Sequence, residues 1–257
     1  SGVLEFHGTS MQKRFSPGPA SRAGITAAKM AALGFTGQTS IFEGDRGFLK
    51  AYSDDRHPER LTAGLGEPFG LTIEFKPYSC ARPIHNGIDC ALQIRSSAQP
   101  AVERIKGIEI ARHPEWAHKH LEFAPKTFHA AQLSLPYSVA VAFKEGQALL
   151  PQYNEPHLSD PQIARLMGAT TITTDTSLPR GVSCRMTVTM DDGRTHVAQV
   201  DHPKGSLEVP MTDADLDAKF MTLAVPVVGQ QRAESIRKAA WAVGDWPDVA
   251  ELMALVR

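Results

Sequence analysis

One short segment, residues 76–89, carries several side chains of the types that bind and transform small acids. Lys76 closes a predicted strand, and Arg82 stands just before the predicted start of a helix. The N-terminus of a helix attracts anions, and a lysine and an arginine beside it favour a carboxylate ligand. His85 and Asp89 lie four residues apart, so Asp89 could orient the imidazole. The pattern predicts a site for a small carboxylate.

The loop inside this segment adds three candidates for substrate binding, which are Ser79, Cys80 and Arg82. Cys80 is favoured as a packing residue over a nucleophile, because no base is assigned to activate its thiol. The same segment is also compatible with an ordinary surface loop, in which Lys76 is solvated and the i,i+4 pair is weak. The residues alone leave both interpretations open.

The sequence contains none of the common motifs for nucleotide binding, zinc proteases or serine hydrolases. There is no GxGxxG after a predicted strand, no Walker A loop, no HExxH and no GxSxG. The ten histidines form no ligand constellation, and the three cysteines are widely spaced without a CxxC pair. A metal enzyme, a structural zinc site and a disulfide framework are therefore disfavoured.

The charge balance bears on partners and location. The 257 residues carry 27 Lys and Arg against 28 Asp and Glu, which gives a net charge of −1 and no electrostatic reason to expect nucleic acid or an anionic membrane. No apolar run approaches the ~20 residues that span a bilayer, and no signal peptide is visible. We expect a cytoplasmic protein. Ser1 is compatible with a tag remnant or with a chain that begins inside a longer protein.

The elements that must position these residues follow from periodicity. Strict alternation predicts a strand at 71–76 and a hairpin of strands at 182–190 and 194–200, turned by Asp192-Gly193. A further strand is predicted at 104–111. Helical patterns cover 84–96, 127–146 and a stretch that starts at Ser159 with Asp160-Pro161 and runs to Gly168.

Helices are predicted on both sides of this block. Residues 19–33 form an alanine-rich helix, closed by Gly34, that needs partner helices. Near the other end, Thr212 is predicted to cap a helix and Asp245 with Pro247 to start the last one. The expected fold is α+β, with part of an all-helical domain around a smaller α/β domain. The expected boundaries are 1–69 and 207–257 for the helical parts and 70–206 for the α/β domain.

Four stretches in order, which cover almost the whole chain, resemble motifs of the MmgE/PrpD family. They are GTSMQKRFSPGPASRAGITAAKMAALGFTGQTSIFEGDRGFL, FKPYSCARPIHNGIDCAL, LPYSVAVAFKEG and HPKGSLEVPMTDADLDAKF. The family contains 2-methylcitrate dehydratase and cis-aconitate decarboxylase. The resemblance implies the C-terminal part of a two-domain subunit that forms homodimers and needs no metal or organic cofactor.

By motif matching, the resemblance places Lys13, Lys76 and Tyr137 at active-site positions in a cleft between the domains, with His85 close by. It implies a lyase that removes a proton beside a carboxylate of a small polycarboxylate, with loss of water or CO₂. Lys13, Lys76 and His85 would neutralise substrate carboxylates, and Tyr137 would donate or shuttle a proton. Three positions depart from the family motifs, which are Ser16, Ser79 and Val209.

Alternatives remain open at this point. Lys13 could cap the loop before the alanine-rich helix, and Tyr137 could be a core tyrosine with a bonded hydroxyl. The family resemblance is also compatible with an epimerase of an amino-dicarboxylate. A third alternative is an incomplete, inactive fragment that needs a partner chain.

Overall fold

The computed structural model describes residues 15–66 and 72–256 of the chain. The chain divides into two compact units, Ser1–Thr72 and Ile73–Arg257. About half of the chain is helical and one small mixed sheet lies in the second unit, so the α+β class is confirmed. Among the helices described, none has the length and apolar character needed to cross a bilayer.

The first unit contains helices α1 (Pro17–Ala32) and α2 (Phe48–Tyr52) and a 3₁₀ turn at Pro58–Leu61. The predicted alanine-rich helix is therefore confirmed to within two residues at each end. Proline stands in its first turn and Gly34, with a φ of +89°, follows its end. Proline in the first turn and glycine after the last turn are the residues expected at the two ends of a helix. Every residue of α1 is exposed, as its small side chains predict for a helix that packs on none of the described elements.

The second unit contains the sheet and the remaining helices. The helices are α3 (His85–Ala98), α4 (Pro114–Ala117), α5 (Phe128–Ala131), α6 (Leu135–Glu145), α7 (Glu155–Leu158), α8 (Pro161–Gly168), α9 (Asp213–Val228), α10 (Gln230–Trp241) and α11 (Ala250–Leu255). The strands are β1 (Ile105–Arg112), β2 (Thr170–Thr174), β3 (Cys184–Met190) and β4 (Thr195–Val200). The predicted hairpin is thus confirmed as β3 and β4.

The sheet has the strand order β2-β1-β3-β4. β1 pairs in parallel with β2 and antiparallel with β3, and β3 pairs antiparallel with β4. Alternate residues of β3 are buried, as its sequence predicts for a strand with one face on a core. α3 contacts β3 and β4 on one side and α6 on the other. A Cβ on Gly87 would lie 2.6 Å from Leu135 Cδ1, so glycine permits the close approach of these two helices.

The predicted strand at 71–76 is wrong for the residues that the structure describes, 72–76, which form no strand. Ile73 and Phe75 are about half exposed, and the Phe75 amide donates to the Gly205 carbonyl at 2.9 Å. Alternation alone does not make a strand, because a strand also needs a neighbour with a matching row of hydrogen-bonding groups. Pro77, which has no amide proton, limits pairing further.

Two helix boundaries also differ from the predictions. The helix predicted at 127–146 is divided into α5 and α6, because Ser134 caps a new helix by accepting from the Tyr137 amide at 3.1 Å. The last helix starts after Val249 and not at Asp245, because Asp245 ends a 3₁₀ turn and the residue before Pro247 is extended. The caps predicted at Thr212 and Asp160 are confirmed.

Candidate functional site

The loop from Lys76 to Arg82 is fixed by backbone hydrogen bonds to the α5–α6 region. The Ser79 amide donates to the Ala148 carbonyl at 3.1 Å, and the Ala81 amide donates to the Gln132 carbonyl at 2.9 Å. The Gln132 side-chain amide donates a hydrogen bond to the Ser79 carbonyl at 2.5 Å. The loop therefore has a defined conformation although it lacks helix and strand.

Arg82 begins the 3₁₀ turn Arg82–Ile84, which continues directly into α3. Its Nε and Nη2 atoms each lie 3.1 Å from Glu74 Oε2. Its Nη1 atom lies 3.3 Å from His85 Nδ1 and donates to the Lys204 carbonyl at 3.2 Å. Arg82 thereby joins the loop, the first residue of α3 and the segment that follows β4.

His85 is completely buried at the first position of α3, and its Nε2 atom has no hydrogen-bond partner among the described residues. Burial lowers the pKa of His85 to about 3, and the charge of Arg82 adds to this effect. Lys76 and Lys219 act in the same direction, while the Cys80 backbone opposes it. The imidazole is therefore neutral at pH 7. The predicted role for His85 as a positive charge is corrected accordingly.

Asp89 does not orient this imidazole, contrary to the sequence interpretation. One of its carboxylate oxygens accepts a short hydrogen bond from the Tyr78 hydroxyl, and the other accepts from the Lys204 amide at 2.8 Å. Burial raises the pKa of Asp89, although these two hydrogen bonds oppose the effect. Burial and the adjacent carboxylate also raise the pKa of Tyr78. Asp89 thus connects α3 to the loop and to Lys204.

Sequence reasoning missed two lysines, Lys219 beside Lys76 and Lys204 beside Arg82. The Lys219 Nζ atom, on α9, donates to the Lys76 carbonyl at 2.6 Å. Burial and the charge of Lys76 lower the pKa of Lys219. Lys204 lies opposite Asp215, at 2.5 Å between Nζ and Oδ1. Both lysines belong to the motif that starts at residue 202, which is the signal that could have found them.

A cavity of about 230 Å³ lies beside Lys204 and Lys219, and Lys76 does not line it. Its lining includes Tyr78, Lys204, Asp215 and Lys219, together with apolar atoms of Met211. Its volume suits a ligand of a few carbon atoms, and the two lysines favour negative charge. We call the group formed by Lys76, Arg82, Lys204 and Lys219 the cationic cluster.

Cys80 and Tyr137 lie deeper in the second unit. Burial raises the pKa of the Cys80 thiol to about 12, although a hydrogen bond with Tyr153 lowers it in part. A thiol with this pKa is not a nucleophile at neutral pH. The Tyr137 hydroxyl donates to the Gln152 carbonyl at 2.7 Å, and its ring lies 5.6 Å from that of Tyr153. Tyr137 has the geometry of a bonded core tyrosine, and its catalytic role stays a prediction.

Of the predicted site residues, the structure brings together Lys76, Ser79, Cys80, Arg82 and His85 in one loop and helix start. Lys13 lies outside the described residues, so its predicted role is not tested. Across residues 15–66 and 72–256, no group of three or more His, Cys, Asp or Glu side chains is placed to hold a metal ion.

The fold and the cluster define an α+β protein with a cationic site suited to a small anion. Residues 1–61 match the MmgE/PrpD N-terminal domain, and residues 78–244 match the MmgE/PrpD C-terminal domain. The chain belongs to the MmgE/PrpD family, as its motifs predicted.

The curated relatives of this chain include cis-aconitate decarboxylases. It is 28% identical to the cis-aconitate decarboxylase-like protein oryM of Aspergillus oryzae, over 99% of this chain and 57% of the relative. It is 25% identical to the cis-aconitate decarboxylase of Aspergillus terreus, over 99% of this chain and 56% of the relative. It is 26% identical to the human cis-aconitate decarboxylase, over 100% of this chain and 55% of the relative. The chain therefore spans about half the length of the curated relatives it matches.

Proposed function

We propose that the protein is a lyase, a decarboxylase or dehydratase, that acts on a small polycarboxylate such as cis-aconitate or 2-methylcitrate. The observation that carries the proposal is the cationic cluster beside a neutral, buried histidine. The charges of Lys76 and Lys219 lie close to each other and could meet a substrate carboxylate. Arg82 and Lys204 already face Glu74 and Asp215, so a substrate carboxylate would have to displace these partners. Charge pairing of this kind is strong where water is partly excluded.

The neutral His85 can form hydrogen bonds but does not supply a positive charge. The Nδ1 atom of His85 lies 3.3 Å from Arg82 Nη1, and the Cys80 backbone also interacts with the ring. The Nε2 atom is buried and without a partner among the residues described. Leaving a buried polar atom unsatisfied costs about 1–3 kcal/mol. His85 does not line the cavity, so a substrate group could bond to Nε2 only after a local rearrangement.

The two lyase reactions place different demands on the site. In decarboxylation the electrons of the broken C–C bond stay on carbon, which then takes a proton from a donor. In dehydration a base removes a proton beside a carboxylate, and hydroxide leaves as a double bond forms. Lys76 and Arg82 would stabilise the carboxylate in both cases, since negative charge grows next to it in the transition state. A homodimer without nucleic-acid or membrane partners stays a prediction.

The test is the variant Lys76→Ala in the whole protein, with Lys106→Ala as a matched control. Lys106 is an exposed lysine on β1, outside the cationic cluster. The assays measure CO₂ released from cis-aconitate and the absorbance gained when 2-methylcitrate loses water. We expect Lys76→Ala to lower kcat/KM by about 10²-fold. The control should stay near the wild-type value, and an unchanged kcat/KM in Lys76→Ala would show that the cluster does not serve the reaction.

A further inference from the structure

Arg112 is a buried cation in an unusual environment. It is the last residue of β1, it is only 1% exposed, and it is among the largest fully buried side chains of the described chain. No carboxylate lies within 4.0 Å of its guanidinium in the part of the chain that the structure describes. Burial of a charge without a counter-ion is costly, so three backbone carbonyls must compensate for lost water.

These three carbonyls belong to two separate segments. Nη1 donates to the Trp116 carbonyl at 2.8 Å and to the Lys119 carbonyl at 3.0 Å. Nη2 donates to the Pro83 carbonyl at 2.8 Å. Pro83 is the middle residue of the 3₁₀ turn between Arg82 and His85. The guanidinium therefore binds the backbone between Arg82 and His85, two residues of the candidate site.

The backbone of Arg112 is itself firmly placed. Its neighbours across the sheet are Thr174 on β2 and Cys184 on β3, and its carbonyl accepts from the Asp175 amide at 2.9 Å. The side chain extends from the end of an inner strand, so the fixed position of this strand also fixes the turn. The planar guanidinium of arginine holds several donors in fixed directions, whereas the ammonium of lysine is one charged group on a flexible chain. Arginine is therefore better suited to bind two segments at once.

We propose that Arg112 is a positioning residue that sets the orientation of the Arg82–His85 turn, and through it the place of the His85 imidazole. The proposal rests on the proposed function only for its catalytic consequence. In the described chain the Arg112 side chain makes no hydrogen bond to His85 and does not line the cavity, so we assign its effect to the Pro83 carbonyl. The positional effect itself does not depend on which substrate the protein takes.

The test compares Arg112→Lys and Arg112→Gln with Arg165→Lys. Arg165 is a suitable control, because its guanidinium also donates to two carbonyls, those of Ile105 and Val102, each at 2.7 Å. These carbonyls lie in the first residue of β1 and in the 3₁₀ turn before it, at the opposite end of the strand from Arg112. The full chain is labelled with ¹⁵N-histidine, and the imidazole signals of His85 are assigned with His85→Gln. Thermal unfolding, kcat and KM are measured in parallel.

We expect both Arg112 variants to shift the His85 imidazole signals and to lower kcat at least tenfold with a smaller change in KM. Arg165→Lys should leave the signals in place and kcat within twofold. Unshifted His85 signals in a folded Arg112 variant would overturn the proposal, as would equal shifts in the Arg165 control. If Arg112→Lys does not fold, the His85 imidazole signals of Arg112→Gln provide the test. If the wild type turns over no polycarboxylate, the proposed function fails while the spectra still test the positioning role.

Discussion

Gly205 offers a sharp test of how the loop before α3 is held. Its φ is +84°, a conformation that side chains rarely adopt, and a Cβ there would lie 2.1 Å from the Phe75 carbonyl oxygen. The same glycine carbonyl accepts the Phe75 amide at 2.9 Å. Gly205→Ala must therefore push away the residue that immediately precedes Lys76. Gly193 is a matched control, because its φ is also +84° but nothing lies within 4 Å of a Cβ.

The expected magnitudes follow from these distances. A left-handed conformation costs an alanine roughly 1–2 kcal/mol at either position. At Gly205 the loss of the Phe75 hydrogen bond adds about 1 kcal/mol, and the displaced backbone adds ~1–3 kcal/mol of overpacking. We therefore expect Gly205→Ala to be more destabilising than Gly193→Ala by about 2–4 kcal/mol. Since Phe75 adjoins Lys76, kcat/KM should fall as well in Gly205→Ala alone.

The assay is urea unfolding followed by tryptophan fluorescence. All three tryptophans lie in the second unit, so the transition reports that unit. Free energies of unfolding are compared between the two alanine variants and the wild type. Equal losses at Gly193 and Gly205 would refute the argument, because they would mean that the contact with Phe75 contributes nothing.

Two further predictions concern titratable groups. The Lys204 side chain and the Thr212 backbone lower the pKa of Asp215 to about 2, so this carboxylate stabilises the fold above its unfolded pKa of about 3.9 and the effect is lost as the pH falls towards 2. Urea midpoints of the wild type and of Asp215→Asn should accordingly converge near pH 2 and separate above pH ~4; a constant separation would contradict this linkage. All three cysteines are buried, so Ellman's reagent at pH 8 should find almost no reactive thiol in native protein and three in urea. A fast-reacting thiol before unfolding would be evidence against the burial of the cysteines.

Local chemistry made much of the fold predictable. Asp192-Gly193 between two alternating stretches predicted the hairpin, since a tight turn and period-two burial depend only on nearby residues. The caps at Asp160 and Thr212 were predictable for the same reason. The strand expected before Pro77 was wrong because its ladder would have needed a partner elsewhere in the chain.

The site was predictable only in its local part. Lys76, Arg82 and His85 lie in one stretch, so their proximity follows from the sequence. The partner of Asp89 does not, because the nearby His85 competes with Tyr78 and with the backbone of Lys204, and only the folded chain decides between them. The charge state of His85 was also hidden, because it depends on burial and on cations from other segments.

The hydrogen bond between Lys219 and the Lys76 carbonyl joins residues that are 143 positions apart in the sequence. The bond from Arg82 to the Lys204 carbonyl spans 122 positions. Closing such long loops costs chain entropy and slows folding, so contacts of this kind form late. Recovery of ligand affinity after dilution from denaturant should therefore lag behind the return of helical circular dichroism.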